Sequence, residues 1–419
     1  MPYRILFIHQ NFPGQFGHLA LALAAQGHEV VALGVHARPV AGVKVLRYPV
    51  KAPERPSVVK LLQEFEVQTA TGIACAAAMR RLHDQGFLPD VIVAHPAWGE
   101  SLFCKDVWPG ARLLLFAEFF YGVDDTDFGF DPEFSRPDVT TRMRLRLRNT
   151  VLMQALHAAD GGYAPTHWQH AQIPPAWRAR YDVIFDGVDT ARVRPDPQAW
   201  VQLKQAGLRL AAGDEVLTFV NRNLEPYRGF HVFMRALPRI LHERPDAQVL
   251  VIGGDEVSYG ARPTSGGTWR QRLLDELGAG WARERVHFLG RVPYRDYLRV
   301  LQVSRCHVYL TYPFVLSWSC VEAMGVGCSI VASRTPPVQE FIQHGREGLL
   351  VDFFDIDGWV RQVCDVLAAP GDHAHLGAAA RARVIAQYDL EQHCLPRLCE
   401  RIAGLLPAQA AHAADHPAA

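Results

Sequence analysis

Two arginines, Arg222 and Arg228, stand in the segment Asn221-Arg222-Asn223-Leu224-Glu225-Pro226-Tyr227-Arg228-Gly229, directly after the apolar run ending in Phe219-Val220. Guanidinium groups match phosphate oxygens in bidentate fashion, and a following helix N-terminus adds amides and a favourable dipole. The pair could therefore grip a diphosphate, although two solvated loop arginines would show the same spacing. Further on, Tyr312-Pro313-Phe314-Val315-Leu316-Ser317-Trp318-Ser319-Cys320-Val321-Glu322 follows another short apolar run. A helix starting near Ser317 or Ser319 would aim free amides at phosphate. Glu322 in its first turns could accept hydrogen bonds from ribose hydroxyls, or simply favour the helix start as an acid.

The first half carries different chemistry. His95 follows Val91-Ile92-Val93-Ala94, and Glu118 follows Leu113-Leu114-Leu115-Phe116-Ala117. An imidazole with an ordinary pKa of about 6.5 suits deprotonation of a hydroxyl near neutrality, while a lone loop histidine is more often structural. Asp124-Asp125-Thr126-Asp127 has the carboxylate density that suits Mg²⁺ or Mn²⁺. It lies in a long irregular stretch, 122–141, far from the arginine segment, so a solvated turn or a substrate contact is the better expectation. Arg142, Arg144, Arg146 and Arg148 alternate with Met143, Leu145 and Leu147. On a helix they would spread around much of the circumference, which favours a solvated helix over a lipid-facing patch.

These residues need a scaffold that gathers loop ends. Arg4 to Ile8, a turn at Gly14 and Gly17, a helix ending near Gly27 and a strand Glu29 to Leu33 make a β-loop-α-β opening. Such units build parallel sheets whose working loops lie at the carboxyl ends of the strands. Val91 to Ala94 and Leu113 to Ala117 extend the first array. After Asp186-Gly187-Val188-Asp189 and Arg194-Pro195-Asp196-Pro197 the pattern restarts, with strands at Val216 to Val220, Gln248 to Ile252, Val286 to Leu289, Val308 to Leu310 and Ser329 to Ala332. The fold class expected is α/β, two tandem Rossmann-like domains facing across a cleft. Their expected bounds are 1–190 and 191–370, with helices over 371–406 packing back on the first domain and a disordered tail over 407–419. A nucleotide sugar, bound at one end and attacked at the other, fits such a cleft.

Composition narrows the class. At 419 residues, with 43 Lys+Arg against 43 Asp+Glu, the chain has room for two or three cores and no global field to gather nucleic acid. The eight cysteines include no Cys-x-x-Cys pair and read as reduced thiols. Neither an export signal nor a membrane-length apolar run is recognised, so the expected location is the cytoplasm, with peripheral contact at the inner membrane face as a further reading.

Taken in order, several segments resemble glycosyltransferase family 4, the retaining, nucleotide-sugar-dependent enzymes of the GT-B fold. They are Arg4 to Val30, Asp186 to Asp189, Arg222 with Arg228, Phe288-Leu289-Gly290-Arg291-Val292, and Glu322-Ala323-Met324 through Gly348-Leu349-Leu350-Val351. The resemblance implies that Arg222 and Arg228 hold the donor diphosphate, Glu322 the ribose and the segment of Gly290 and Val292 the base. The Gly14 to Gly17 loop would form the opposite wall. It also implies no metal and no cofactor beyond the nucleotide-sugar co-substrate. One departure stands out. The family usually has a glutamate eight positions before the one matching Glu322, placed against the transferred sugar, and Phe314 stands there instead. Backbone amides of Leu316 and Ser317 remain available, and Glu340 is a candidate substitute or else a surface acid. The family often has a histidine near the position of Glu118.

The reading that results is a metal-independent hexosyltransferase. It would move sugar with retention from a nucleotide-diphosphate donor to a hydroxyl acceptor, saccharide or lipid-linked, in polysaccharide or glycolipid synthesis. Its catalytic candidates are His95, Glu118 and Glu340; its donor-binding candidates are Gly14, Arg222, Arg228, Gly290, Val292, Leu316, Ser317 and Glu322. The rivals are a sugar-nucleotide epimerase or hydrolase on the same scaffold, and a non-catalytic nucleotide-sugar binder, which Phe314 motivates.

Overall fold

The computed structural model describes residues 2–51, 59–122, 124 and 126–406, so the expected tail and Asp125 lie outside the described residues. The chain divides into two compact units. One comprises Met1–Tyr121, Pro137–Asp186 and Leu395–Ala419, the other Gly122–Arg136 and Gly187–Cys394.

In the first unit, seven parallel strands run in the order β3-β2-β1-β4-β5-β6-β7. They are β1 (Arg4–Ile8), β2 (Glu29–Gly34), β3 (Lys44–Arg47), β4 (Val91–Ala94), β5 (Arg112–Phe116), β6 (Gly161–Ala164) and β7 (Tyr181–Val183). The central strands are continuous apolar runs because helices cover both faces of the sheet. Helices Gln63–Asp84 and Val139–Ala158 bury Cys75, Met79, Leu82, Ala155 and Leu156 in one core with Leu6, Ile92 and Leu113. Leu19 and Leu23 of helix Gly17–Ala25 and Leu398 and Ile402 of helix Leu395–Ala403 cover the opposite side with Ile5, Phe7 and Val93.

In the second unit six parallel strands run β12-β11-β10-β13-β14-β15. These are β10 (Val216–Asn223), β11 (Gln248–Gly254), β12 (Val286–Gly290), β13 (Cys306–Tyr309), β14 (Ile330–Ser333) and β15 (Leu349–Val351), preceded by an antiparallel hairpin of β8 (Trp200–Leu203) and β9 (Leu208–Ala211).

Two expected boundaries are corrected. Residues 122–136, expected within the first domain, count with the second unit. The segment 371–406 is divided. Helix Pro370–Tyr388 belongs to the second unit, where Gly377 lies against Gly327 so closely that a Cβ would fall 2.1 Å from its carbonyl oxygen, and only from Leu395 does the chain join the first.

Candidate active site

In a parallel sheet whose strand order reverses, the loops of the two central strands part and leave a crevice at their carboxyl ends. The second unit reverses between β10 and β13, and Arg228 lies there. β10 leads through a short turn to Gly229, whose φ of +65° and close approach to Leu310 (2.2 Å for an added Cβ) exclude a side chain. That turn presses Arg228 onto the β13 loop, where its guanidinium donates to Thr311 Oγ1 (2.7 Å) and to the Val315 carbonyl (2.8 Å). Its charge lies 5.1 Å from the Tyr259 ring centre and 5.8 Å from that of Phe314.

Arg228 is only 5 % exposed, yet among the described residues no carboxylate is within ion-pair distance of it. Glu225, the acid nearest in sequence, instead accepts from the backbone amides of Ser258, Tyr259 and Gly260. Burial costs the guanidinium its hydration, and Tyr309, Tyr259 and the charge of Glu225 act against that cost without any carboxylate bonded to it, which is the setting of a candidate anion site.

Around it, Ser317 caps the helix Trp318–Val326 by accepting from Ser319 N, and its own amide donates to Tyr309 Oη (2.8 Å). Leu316 is buried beside it. Glu322, half-buried, accepts from Tyr294 and Tyr297 hydroxyls, both at 2.6 Å; burial raises its pKa and these two bonds oppose the rise. Gly290 ends β12, opposite Ile252 on β11, and half-buried Val292 follows it.

Other expected donor residues are placed differently. Arg222 is exposed and makes no hydrogen bond or ion pair among the described residues, while Asn221 and Asn223 on either side are buried. Alternation at the end of β10 turns Arg222 to solvent, whereas Arg228 is buried. The inward position belongs to Asn223, whose amide donates to Ser258 Oγ (2.7 Å) and accepts from Arg291 (3.0 Å). Glu340 ends the short helix Pro336–Gln339. Its carbonyl accepts from Arg383 (2.7 Å), and its charge acts on Tyr388. Those partners belong to helix Pro370–Tyr388, not to the loops around Arg228. Phe314, 4 % exposed, packs edge-on against Tyr227 and Tyr259.

The first unit reverses between β1 and β4, and there the ends of the two strands bring His9 and His95 together, ring centres 5.1 Å apart. His9 Nδ1 accepts from Asn11 N (2.9 Å), which leaves Nε2 to donate to Gln15 Oε1 (2.8 Å), and Gln15 Nε2 donates to Glu118 Oε1 (2.9 Å). His95 Nδ1 accepts from Ala97 N (3.3 Å), which assigns its proton to Nε2, 3.4 Å from Glu118 Oε2. Gly14, at φ +46°, lies over the His9 ring, where a Cβ would come within 2.5 Å of Nε2. Glu118 is thus reached from two sides.

His95 is 1 % exposed, whereas the Glu118 side chain is 28 % exposed. The carboxylate therefore meets solvent and the imidazole lies behind it. Half-buried Trp98 stacks on His95 at 4.5 Å. Gln15, Trp98, Thr311 and Asn223 are the residues that the sequence reading missed. Trp98 and Thr311 follow strands, Asn223 ends one and Gln15 lies in the turn after β1; each is an ordinary polar or aromatic residue that no local pattern singles out.

The acidic stretch is solvated only in part, with Asp124 exposed. Thr126 and Asp127 are buried, and Tyr227 donates to Asp127 Oδ2 (2.7 Å). Among the described residues, Asp131, Glu133 and His231 place ligand atoms within 4.8 Å of one another. Tyr312 already donates to Asp131 (2.7 Å), and Arg235 forks onto Glu133 at 2.7 and 2.9 Å. A cation there would have to displace a guanidinium.

Residues 26–193 match the model of the glycosyl transferase family 4 group, and residues 202–383 that of glycosyl transferases group 1. Similar curated proteins include a GDP-mannose-dependent α-(1-6)-phosphatidylinositol monomannoside mannosyltransferase of Mycolicibacterium smegmatis, 27% identical over 46% of this chain and 49% of that protein. Another is a D-inositol 3-phosphate glycosyltransferase of Corynebacterium urealyticum, 26% identical over 46% and 44%. The match thus spans about half the length of these relatives. Among solved structures, sucrose-phosphate synthase of Thermosynechococcus elongatus superposes with a TM-score of 0.73 at 18% identity, covering 96% of this chain and 99% of that one. Anabaena HepE in complex with UDP-glucose gives 0.69 at 16%, covering 96% and 100%. With two domain models matched in this order and two parallel α/β units in the structure, the chain belongs to glycosyltransferase family 4 and has the GT-B fold.

Proposed function

We propose that the protein transfers a hexose-type sugar from a nucleotide-diphosphate donor to a hydroxyl acceptor, with retention and without a metal. The observation that carries this reading is Arg228, a buried cation without a bonded carboxylate at the switch point of the second sheet. The leaving group of such a reaction is an anion whose charge grows as the glycosidic bond breaks, and a fixed guanidinium stabilises that charge without reorganisation. The acceptor oxygen bonds the anomeric carbon as the bond from that carbon to the diphosphate oxygen breaks. The bonding pair goes to the diphosphate, and the acceptor proton follows it on the same face. Glu118, held by Gln15 and His95, orients the acceptor hydroxyl, and Trp98 offers a ring on which a saccharide can stack. Glu322 and its two tyrosines take the ribose side, Gly290 and Val292 the base.

A lipid-linked acceptor is supported by the first unit. Val139 (73 % exposed), Met143 (49 %) and Arg146 recur at i, i+4 and i+7 on one face of their helix, and Val67 and Ile73 are exposed on the neighbouring helix, which buries residues in the same core. The arginines do spread around the helix, but Arg148 turns inward to Glu64 (2.9 Å) and over the Tyr121 ring (3.7 Å). The exposed face is therefore mixed apolar and cationic, the composition that anionic bilayers bind. No helix among the described residues is long and apolar enough to cross a membrane.

The reading is tested with UDP-, GDP- and ADP-sugars in a thermal-shift screen followed by transfer assays on saccharide and lipid-linked acceptors. One family of donors should raise the melting temperature, and transfer should depend on acceptor. Donor conversion or release at full rate without acceptor would favour an epimerase or hydrolase. Binding with no turnover on any acceptor would favour a non-catalytic binder.

A further inference from the structure

The connection from β5 to helix Val139–Ala158 leaves the first unit at Tyr121 and rejoins it at Pro137, and the residues between them fold on the second unit. A plain connector needs only a handful of residues. This strap instead carries two carboxylates, each nearly excluded from solvent, onto two tyrosine hydroxyls. Asp127 Oδ2 accepts from Tyr227 Oη and Asp131 Oδ2 from Tyr312 Oη, each at 2.7 Å, and Asp131 Oδ2 lies 3.0 Å from His231 Nε2. Both tyrosines adjoin the anion site. Tyr227 immediately precedes Arg228, and Tyr312 immediately follows Thr311, the side chain that holds it. The Tyr312 amide donates to the Tyr227 carbonyl (3.0 Å), joining the two loops, and the Tyr227 ring meets Phe314 edge-on.

We propose that Asp127 and Asp131 are positioning residues of the donor site, acting through the hydroxyls of Tyr227 and Tyr312 to fix Arg228 and the loop 311–317. The inference rests on the reading of Arg228 as the diphosphate anchor. Attachment alone does not call for buried acids, whose desolvation is costly. Apolar anchors are already present. Phe130 packs among Tyr312, Phe353 and Phe354, and Phe134 lies against Trp269. Ring packing tolerates rotation and sliding, whereas a hydrogen bond to a carboxylate fixes the direction of the tyrosine. The acids are spent on the two residues next to Arg228 and Thr311, where a small displacement would misplace the guanidinium.

Tyr227→Phe and Tyr312→Phe remove the hydroxyls and leave the packing, and Asp131→Asn weakens the acceptor. Each should raise donor KM about tenfold, the size of a lost hydrogen bond to a charged group, with kcat changed less than about twofold. Asp131→Asn added to Tyr312→Phe should raise it little further, because the two act through one bond. Arg235→Met, which frees the exposed end of the strap, should lower the melting temperature and leave donor KM unchanged. Should Asp131→Asn fail to fold, the two Tyr→Phe variants carry the test. Unchanged donor KM in both, in an assay where Arg228→Met raises it, would overturn the strap's role alone. So would a rise that disappears on cooling in step with recovered stability. If Arg228→Met also leaves donor KM unchanged, the donor site itself is misassigned and this inference falls with it.

Discussion

The two switch points share a topology and differ in charge. Where β1 and β4 part, the polar groups gather around one partly exposed carboxylate: His9 bonds Gln15, Gln15 bonds Glu118, and His95 Nε2 lies 3.4 Å from the same carboxylate. Where β10 and β13 part, a guanidinium is walled by aromatic rings and bonded to a hydroxyl and a carbonyl, with no carboxylate bonded to it among the described residues. The first arrangement can hold or pass a proton without outside help. The second leaves a buried cation without a bonded carboxylate. One scaffold thus supports proton handling and anion binding, and the loops that follow the strands decide which.

The comparison is broken most directly at Arg228. Arg228→Met should lower kcat/KM for the donor at least about a hundredfold, near 3 kcal/mol of lost transition-state stabilisation, while Arg222→Ala stays within about twofold. Steady-state kinetics against the preferred donor decide this, and equal losses in the two variants would refute the assignment of Arg228 alone.

On the other side, Glu118→Gln should lower kcat about a hundredfold with donor KM unchanged, and His95→Gln about tenfold, since the imidazole acts through the carboxylate. A larger loss in His95→Gln would restore the histidine as the group that touches substrate.

A third prediction concerns stability. Glu100, just beyond the His95 loop, is fully buried with neither carboxyl oxygen bonded by another residue, and burial pushes its pKa up to about 7. Because the folded-state value is raised, the group costs nothing below the ordinary carboxylate range, destabilises progressively as pH rises from there to about 7, and its cost levels off above that. Glu100→Gln should therefore melt a few degrees higher than the parent at pH 8 and show little difference at pH 4, at roughly 2–4 °C per kcal/mol. Melting curves from pH 4 to 8 that shift in parallel would contradict it.

The smallest expected effect is at the surface. Val139→Asp with Met143→Asp should reduce co-sedimentation with vesicles containing phosphatidylglycerol several-fold and leave transfer to a water-soluble acceptor unchanged. Equal binding by parent and variant would remove the lipid surface from the account.

Much of the scaffold was legible because buried parallel strands are apolar runs. β1 and β4 coincide with their expected ends, and the strands after 216 are found within a few residues of theirs. β6 was missed because Gly-Gly-Tyr-Ala carries little strand propensity; its place in the sheet comes from pairing with β5 and β7. His95, Glu118, Arg228 and Glu322 were legible as polar residues beyond apolar runs. Their partners were not, since Gln15 and Glu118 are separated by 103 residues. Arg222 and Arg228 looked equivalent because a strand's last alternation and a left-handed glycine decide which one is buried. The strap was recognised as long and acidic, but its destination depends on contacts such as Asp131 with Tyr312, 181 residues apart, which no local pattern records.

The chain passes between its units at 121/122, 136/137, 186/187 and 394/395, so neither unit is a contiguous piece of sequence. A fragment severed at Gly187 would carry the second sheet without Phe130, Asp131 or Phe134. Tyr312 and His231 would then have lost their acid, and the ring surface of Trp269 and Phe353 its cover. Chimaeras that exchange donor halves between relatives at this junction would inherit that mismatch, unless the fifteen-residue graft 122–136 travels with the half it clasps.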